Sequence, residues 1–368
     1  MIDDYARRLA AARAAAAAAD IDALLVAPGP DLRYLVGYDA PPLERLTCLV
    51  VPGSGDPALV VPHLERRAAL DSPVGRLGLT VHSFEETDDP YAAVAALLGN
   101  DIARVGLDNH MWAEKVFGFA AAFPPCEQVL AGLVLRELRM RKTPAEVDAL
   151  REAGEAIDRV HARMGEWLRA GRTERDVARD IAAAILAEGH ASAEFVIVGS
   201  GPNGASPHHE VSDRVIEAGD PVVVDIGGIT AAGYCSDSTR NYVAGGPPPD
   251  EYADYFMVLQ RAQEAQCAYA RPGVTAESVD RVGRAMITDA GYGEAFLHRT
   301  GHGIGVETHE DPYIVEGNDL VLEEGMAFSI EPGIYVEGSH GARIEDIVVC
   351  TDGGIERLNR TPRELVEL

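Results

Sequence analysis

Four carboxylates in this 368-residue chain interrupt stretches that otherwise have the apolar pattern of buried β-strands. They are Asp225 in VVVDIGG, Asp237 in GYCSDSTRNYV, Glu331 in SIEPGIY and Glu345 in ARIEDIVV. Burying a carboxylate without a partner costs several kcal/mol, so each position needs a partner. Glycines between the two aspartates predict a hairpin that brings their side chains together, where they repel each other unless a proton or a cation lies between them. Alternation along the second strand predicts that Thr239 shares the face of Asp237 and donates to its carboxylate.

Histidines close to glycines form a second group of candidates. His302 is flanked by glycines in HRTGHGIGVETHE, which also contains His298 and His309. Those glycines allow the backbone to approach whatever His302 binds. His208 and His209 lie in the loop sequence PNGASPHHE. Taken singly, each candidate has an ordinary structural interpretation, such as a surface histidine or an aspartate that caps a turn.

Taken together, the four carboxylates and His302 point to metal ions. If they converge, they bring a charge of about −4 into one pocket, which only cations can neutralise. The sequence therefore predicts a site for two divalent ions. Oxygen ligands with a single imidazole favour manganese, cobalt, iron or zinc over copper or a thiolate-bound metal.

Composition restricts the partners and the compartment. The chain is 47% hydrophobic and has 32 basic and 59 acidic side chains, for a formal net charge of −27. This balance is typical of a soluble globular protein and disfavours nucleic acids and anionic membrane surfaces as partners. No stretch of about 18 apolar residues occurs, so no membrane-spanning segment is expected. Five scattered cysteines form no CxxC pair, which argues against a disulfide framework and favours the reducing cytoplasm.

The chain is predicted to form two domains, 1–132 and 133–368. In the first, helices alternate with strands, including a hairpin over residues 46–61, which predicts a small α/β domain. The second opens with a helix whose first turn contains a capping box, Thr143 with Glu146, and whose natural end is Gly171. Helices are then followed by strands twice over, the pattern of an α+β fold with an internal duplication.

The motifs together resemble those of metallopeptidase family M24. The order Asp, Asp, His, Glu, Glu, carried by VDIGG, SDSTR, GHGIG, IEPG and RIED, is similar to that of methionine aminopeptidase, aminopeptidase P and prolidase. The resemblance covers nearly the whole chain, because the first domain is similar to the creatinase/prolidase-type N-terminal domain. It implies an α+β fold, with a duplicated pita-bread catalytic domain at the C-terminus and a smaller α/β domain before it.

The resemblance also implies a role for each candidate residue. It implies two divalent metal ions, with manganese first and cobalt, zinc or iron as alternatives. The implied ligands are Asp225, Asp237, His302, Glu331 and Glu345, with Asp237 and Glu345 bridging or nearly bridging. The implied catalytic residues are Glu331, His208, His309 and Arg343. The implied substrate-binding residues are His208, His298, His309 and Tyr313.

The activity implied by the resemblance is hydrolysis of the Xaa-Pro bond at the N-terminus of dipeptides or short peptides, by attack of a metal-bridging hydroxide. Glu331 would carry the proton toward the leaving nitrogen. Many prolidases have an arginine where this chain has Tyr313. Either Arg343, Arg240 or a residue of a partner chain replaces it and the substrates are dipeptides, as in prolidase, or longer peptides are accepted, as in aminopeptidase P, and the choice stays open. The family further implies a homodimer in which the N-terminal domain of one chain borders the active site of the other.

Two other functions stay open at this point. The first is hydrolysis of a non-peptide amide such as ectoine, because substrate choice depends on loops that the sequence does not position. The second is a non-catalytic pita-bread binding module. Such modules typically lose metal ligands, whereas all five are present in this chain.

Overall fold

The computed structural model describes residues 2–99 and 101–368. The chain divides into two compact units, Met1–Arg139 and Met140–Leu368. The division lies later than the boundary expected after residue 132, because residue 132 begins a helix, Gly132–Met140, that continues up to it. All the candidate residues belong to the second unit.

The first unit is built on a mixed six-stranded sheet. Its strands are β1 (Ala23–Val26), β2 (Cys48–Pro52), β3 (Ala58–Pro62), β4 (Thr80–Phe84), β5 (Arg104–Leu107) and β6 (Glu127–Leu130). Their spatial order is β4-β3-β2-β1-β5-β6. Antiparallel pairing of β2 with β3, in which Cys48 lies opposite Val60, confirms the predicted hairpin.

Helices alternate with these strands, as predicted. Those beginning in this unit, within the described residues, are α1 (Ile2–Ala18), α2 (Pro30–Val36), α3 (Arg66–Asp71), α4 (Val74–Leu77), α5 (Pro90–Leu98), α6 (Ala113–Ala122) and α7 (Gly132–Met140). Phe119 of α6 is buried in one core cluster with Leu25, Val50 and Val105 of the strands. Burial of each such side chain contributes about 1.5–3 kcal/mol to folding. The sequence analysis missed α2, which has only seven residues and therefore too few turns to show a helical period.

The second unit contains four further helices within the described residues. They are α8 (Pro144–Ala162), α9 (Glu174–Ala187), α10 (Asp250–Tyr269) and α11 (Ala276–Asp289). Helix α8 begins with the predicted capping box, in which Glu146 accepts from the backbone of Thr143. It ends at Ala162, well before the predicted end at Gly171. The chain turns there because Met164 and Leu168 are buried in the core that α8 and α9 share with the following strands.

Three sheets complete the second unit. Their strands are β7 (His190–Ser200), β8 (Asp220–Thr230), β9 (Cys235–Ala244), β10 (Gly301–Gly303), β11 (Glu310–Ile314), β12 (Ala327–Ile330), β13 (Gly333–Val336), β14 (His340–Arg343), β15 (Asp346–Thr351), β16 (Gly354–Arg357) and β17 (Val366–Glu367). The spatial orders are β17-β9-β8-β7, β11-β10-β12-β15-β16 and a two-stranded β13-β14 ribbon.

The predicted duplication of helices followed by strands is present in this unit. Helices α8 and α9 precede the sheet of β7 to β9, and α10 and α11 precede the strands β10 to β16. The first half packs Ile157 and Ile181 of its helices against Val222 and Val224 of β8. Among the described residues, no helix combines the length and the apolar character that a membrane crossing requires.

Candidate metal centre

The β8–β9 hairpin brings Asp225 and Asp237 onto one face of the sheet. Asp225 lies opposite Thr239, and Asp237 lies opposite Gly227. Residues two apart on a strand share a face, so the two carboxylates lie diagonally across the pair. Both are buried. The hairpin predicted from the glycines is therefore confirmed, with the carboxylates in neighbouring rather than directly facing positions.

The two glutamates lie where strands break. Ile330 at the end of β12 pairs with Asp346 of β15, and Gly333 at the start of β13 pairs with Arg343 of β14. Between these pairs, the hairpin leaves the five-stranded sheet and continues as the two-stranded ribbon. Glu331 occupies one break and Glu345 the other. The sequence analysis expected Glu331 at the end of a strand before a Pro-Gly turn, where it lies, but expected one continuous strand through Glu345.

Thr239 connects the hairpin to the second break. Its hydroxyl donates to Oε2 of Glu345 at 2.7 Å, and its carbonyl accepts from the backbone N–H of Glu345 at 3.3 Å. The prediction that Thr239 donates to Asp237 is therefore wrong. Thr239 is in register with Asp225, and its hydroxyl proton is directed to Glu345.

His302 on β10 contacts two of these carboxylates. Its Nε2 lies 3.0 Å from Oε1 of Glu331 and 3.7 Å from Oδ2 of Asp237. A Cβ on Gly301 would lie 1.9 Å from the carbonyl oxygen of Ser329, and one on Gly303 would lie 2.1 Å from that of Asp311. Glycine is thus needed at both positions because neighbouring strands approach closely.

The electrostatics of the cluster favour cations. Burial raises the pKa of Asp237 well above its ordinary value, and the nearby Glu345 and Asp225 add to the shift. Burial and then Glu331 and Asp225 raise the pKa of Glu345 in the same way. Burial would also raise the pKa of Glu331, but the hydrogen bond with His302 and the charges of His302, His298 and Arg343 together outweigh this effect and lower the pKa to about 2. The buried carboxylates therefore repel one another, and divalent ions between them would neutralise their negative charge.

The donor set fits a metal centre. Ligand atoms of Asp237, His302 and Glu345 all lie within 4.8 Å of one another. Oδ1 of Asp225 is buried and has no hydrogen-bond partner in the described part of the chain, which suits an oxygen directed at an ion. Glu331 contacts the same histidine. Carboxylates with one imidazole match the preferences of manganese, cobalt, iron and zinc.

Arg343 is the cation that the protein itself supplies beside these acids. Its Nη2 donates to Oδ2 of Asp225, and its Nε donates to the Thr239 hydroxyl at 3.1 Å. Its Nη1 donates to the Tyr335 hydroxyl at 2.7 Å. Tyr335 in turn contacts Nε2 of His298 at 2.9 Å, and Nδ1 of His298 contacts the carbonyl oxygen of Arg299 at 2.7 Å. Because a carbonyl only accepts, the proton of His298 lies on Nδ1 and the tyrosine donates to Nε2.

The other predicted histidines lie around this cluster. Burial, together with His302 and Arg299, lowers the pKa of His309 to about 4, so its imidazole is neutral at neutral pH. Burial also lowers the pKa of His298, and the Glu331 charge partly opposes that shift. His208 is exposed on its loop, and its charge acts on both His298 and His309. The three predicted substrate-binding histidines therefore lie within electrostatic reach of one another.

Tyr313, the remaining predicted residue, lies on β11 under an arginine that the sequence analysis missed. The guanidinium of Arg299 lies 4.4 Å from the centroid of the Tyr313 ring. The segment carrying Arg299 is fixed from α11, because Asp280 accepts from the N–H of Thr300 at 3.1 Å and Arg284 donates to the carbonyl of His298 at 2.8 Å. The signal for Arg299 in the sequence is its position directly after the candidate residue His298.

Comparison with known proteins gives a consistent result. Residues 148–352 match the description "Metallopeptidase family M24", and residues 8–141 match "Creatinase/Prolidase N-terminal domain". The "Probable dipeptidase PepE" of Mycobacterium tuberculosis is 55% identical over 362 residues, covering 98% of this chain and 96% of that protein. The "Xaa-Pro dipeptidase" of Lactobacillus helveticus is 37% identical, with 91% of each chain covered. The crystal structure of Dipeptidase PepE from Mycobacterium ulcerans is similar with a TM-score of 0.95 at 53% identity, covering 100% of this chain and 98% of that chain.

Proposed function

Because this chain belongs to metallopeptidase family M24, we propose that it is a two-metal dipeptidase that hydrolyses the peptide bond before proline in Xaa-Pro dipeptides. The observation that carries the proposal is the buried cluster of Asp237, His302 and Glu345. The names of the relatives at 55% and 37% identity, a probable dipeptidase and an Xaa-Pro dipeptidase, support the substrate class.

We propose five metal ligands: the three residues of the buried cluster and two further carboxylates beside it. They are Asp225, Asp237, His302, Glu331 and Glu345. Manganese is the first choice, because most of these ligands are carboxylates. When bound, two such ions supply a nucleophilic hydroxide at neutral pH and stabilise the charge that develops on the attacked carbonyl.

Side chains of the protein transfer the proton and orient the reacting groups. Oε1 of Glu331 accepts from the Ser329 hydroxyl at 2.9 Å, so Oε2 takes the proton of the attacking water and passes it to the leaving nitrogen. Neutral His309 donates a hydrogen bond to the carbonyl oxygen as charge develops on it, with His208 beside it. Arg343 donates to Oδ2 of Asp225 and thereby orients its carboxylate, and His298 borders the same space.

Arg299 supports dipeptides over longer peptides as substrates. In the described part of the chain, its guanidinium stacks on Tyr313 and makes no hydrogen bond or ion pair. A guanidinium that contacts a ring face and has no other partner keeps N–H groups available for a carboxylate. Arg299 lies close enough to lower the pKa of His309, so an anchored carboxylate would lie beside the reacting bond. We therefore assign Arg299 as the anchor of the C-terminal carboxylate.

The testing experiment compares Ala-Pro, Ala-Pro-Ala and Ala-Ala as substrates, with Mn(II) or Co(II) added and with a chelator as control. We expect hydrolysis of Ala-Pro well above that of the other two, and none with the chelator. Preference for Ala-Pro-Ala would make the protein an aminopeptidase of the P type. Bound metal without cleavage of any peptide would direct the search to non-peptide amides, and failure to bind metal would favour a non-catalytic binding module.

A variant pair tests the carboxylate anchor. Arg299→Gln should raise KM for Ala-Pro by about tenfold or more and leave the hydrolysis of Ala-Pro amide, which has no carboxylate, unchanged. Arg271→Gln is the matched control, because Arg271 also stacks on a tyrosine, Tyr269, at 5.5 Å. Equal losses with the acid and the amide would contradict the anchor.

We further propose a cytoplasmic homodimer. All five cysteines are free thiols, as expected in a reducing compartment. The strongly negative charge makes nucleic acids and anionic membranes poor partners. Light scattering on the eluted protein at micromolar concentration should give twice the mass of the chain, and a monomer would exclude the dimer.

A further inference from the structure

The structure contains a buried carboxylate that the proposed chemistry does not use. Glu174 is the first residue of α9 and has no exposed surface. Its Oε1 accepts from the N–H and the hydroxyl of Ser200 at 2.8 and 2.7 Å. Its Oε2 accepts from the N–H and the hydroxyl of Ser212 at 3.2 and 2.7 Å. One carboxylate therefore holds both ends of residues 201–212, which we call the His208 loop.

Two residues inside the loop bind the same carboxylate. The Asn203 amide donates to both oxygens, at 3.0 and 3.1 Å, and Nε2 of His209 lies 2.8 Å from Oε2. Burial alone would raise the pKa of Glu174, but the hydrogen bonds from Ser212, Ser200 and His209 outweigh it and hold the pKa below its ordinary value. The two adjacent histidines of the loop thus have different partners, since His209 binds Glu174 while His208 lies within reach of the candidate site.

The opposite side of the loop touches the metal-site network. Nη1 of Arg343 donates to the carbonyl oxygen of Pro207 at 3.2 Å, directly before His208. Gly204 packs so closely against β14 that a Cβ on Gly341 would lie 2.2 Å from its carbonyl oxygen. The loop is therefore fixed between Glu174 on one side and Arg343 on the other.

We propose that Glu174 is a positioning residue that fixes the His208 loop and thereby presents His208 to the bound peptide. This inference rests on the proposed function, because it assumes that His208 acts on the substrate. It also explains the residue type. Each carboxylate oxygen faces a backbone N–H, that of Ser200 or that of Ser212, and an amide has only one accepting oxygen. Glutamine cannot satisfy both.

A matched control exists in the neighbouring helix. Glu146 is also buried in the first turn of its helix, where it accepts from the N–H of Thr143 at 2.9 Å and from the Tyr234 hydroxyl at 3.0 Å. The hydroxyl can accept as well as donate, so glutamine can replace this glutamate. Glu146→Gln changes the same type of group without touching the His208 loop.

The first test is a double-mutant cycle with Mn(II)-loaded enzyme and Ala-Pro as substrate. Glu174→Gln should lower kcat/KM by about tenfold when His208 is present and by less than about twofold in the His208→Ala background. Glu146→Gln should have no effect in either background. Equal losses in both backgrounds, or a His208→Ala variant with full activity, would overturn the proposal.

The second test does not depend on activity. Amide hydrogen exchange of residues 201–212 should become faster in Glu174→Gln and stay unchanged in Glu146→Gln, with and without Mn(II). Unchanged exchange in Glu174→Gln would also overturn the proposal. If the wild-type enzyme cleaves no Xaa-Pro peptide, the proposed function fails, and the exchange experiment alone decides whether Glu174 holds the loop.

A milder pair covers the case in which Glu174→Gln does not fold. His209→Leu removes one donor to Glu174, whereas His209→Gln keeps a donating amide. We expect faster loop exchange and lower kcat/KM in the leucine variant and recovery of both in the glutamine variant. Identical behaviour of the two variants would count against the role of the Glu174–His209 contact.

Discussion

The imidazole rings of His302 and His309 meet edge to face, with their centroids 4.1 Å apart. This contact places a neutral histidine directly beside the candidate metal ligand, since the pKa of His309 is lowered to about 4 by burial and then by His302 and Arg299. A neutral imidazole keeps one ring N–H, which can donate a hydrogen bond to a developing oxyanion.

His309→Ala should therefore lower kcat for Ala-Pro by about a hundredfold and change KM much less, because the lost hydrogen bond is strongest in the transition state. Steady-state kinetics at saturating Mn(II) measures the effect. His63→Ala, in the first unit and exposed, is the control and should retain full activity. A His309→Ala variant altered only in KM would assign this histidine to ground-state binding instead.

Glu331→Gln should keep the fold and abolish turnover. Glutamine can still accept from the Ser329 hydroxyl and offer an oxygen to an ion, but it cannot take up a proton at neutral pH. We expect kcat to fall by at least about a hundredfold with an unchanged circular dichroism spectrum. Glu337→Gln, at an exposed position six residues further along the chain, is the control and should leave kcat unchanged. Retention of a tenth or more of the wild-type turnover would exclude Glu331 as the proton carrier.

Asp225→Asn should weaken metal binding itself. The amide keeps the shape of the side chain but removes the charge, and its oxygen is a weaker ligand than a carboxylate. We expect fewer metal ions per chain after dialysis, measured by elemental analysis, and a smaller rise of Tm on Mn(II) addition than in the wild type. Asp213→Asn, at an exposed ion pair with Arg175, is the control. Unchanged metal content would remove Asp225 from the ligand set.

Local patterns in the sequence predicted much of this architecture. The hairpin carrying Asp225 and Asp237 follows from strand alternation and a glycine turn, and the start of α8 follows from the capping box of Thr143 and Glu146. Both depend on residues close together in the chain, so short-range rules suffice.

The missed features depend on residues that are distant in the sequence. The break at Glu345 lies where the hairpin leaves the five-stranded sheet and continues in the same register as a two-stranded ribbon, which an uninterrupted apolar stretch does not reveal. The stacking of Arg299 on Tyr313 requires β11 to return beside the start of β10. Glu174 looks like an ordinary acidic residue at a helix N-terminus, where solvent exposure is the usual expectation, and only the fold shows that it is buried under a loop.

His161 gives a prediction about stability instead of catalysis. Its ring is buried on α8, with Nδ1 2.9 Å from the Tyr242 hydroxyl and Nε2 3.3 Å from the carbonyl oxygen of Ser238. The carbonyl fixes the proton on Nε2, so the tyrosine donates to Nδ1 and the ring is neutral. Burial, and then the charge of Arg240, lower the pKa of His161 from 6.5 to about 3.

Between these two pKa values, the unfolded chain binds a proton that the folded chain does not. The contribution of His161 to stability is therefore complete above pH 6.5 and is lost as the pH falls toward 3. Replacing it with glutamine should reduce the slope of the free energy of unfolding against pH by up to about 1.4 kcal/mol per pH unit in that window. Urea unfolding of the metal-free protein from pH 4.5 to 7.5 measures the slope, with the exposed His82→Gln as control. Parallel curves for wild type and His161→Gln would show that this histidine is protonated in the folded protein as readily as in the unfolded chain.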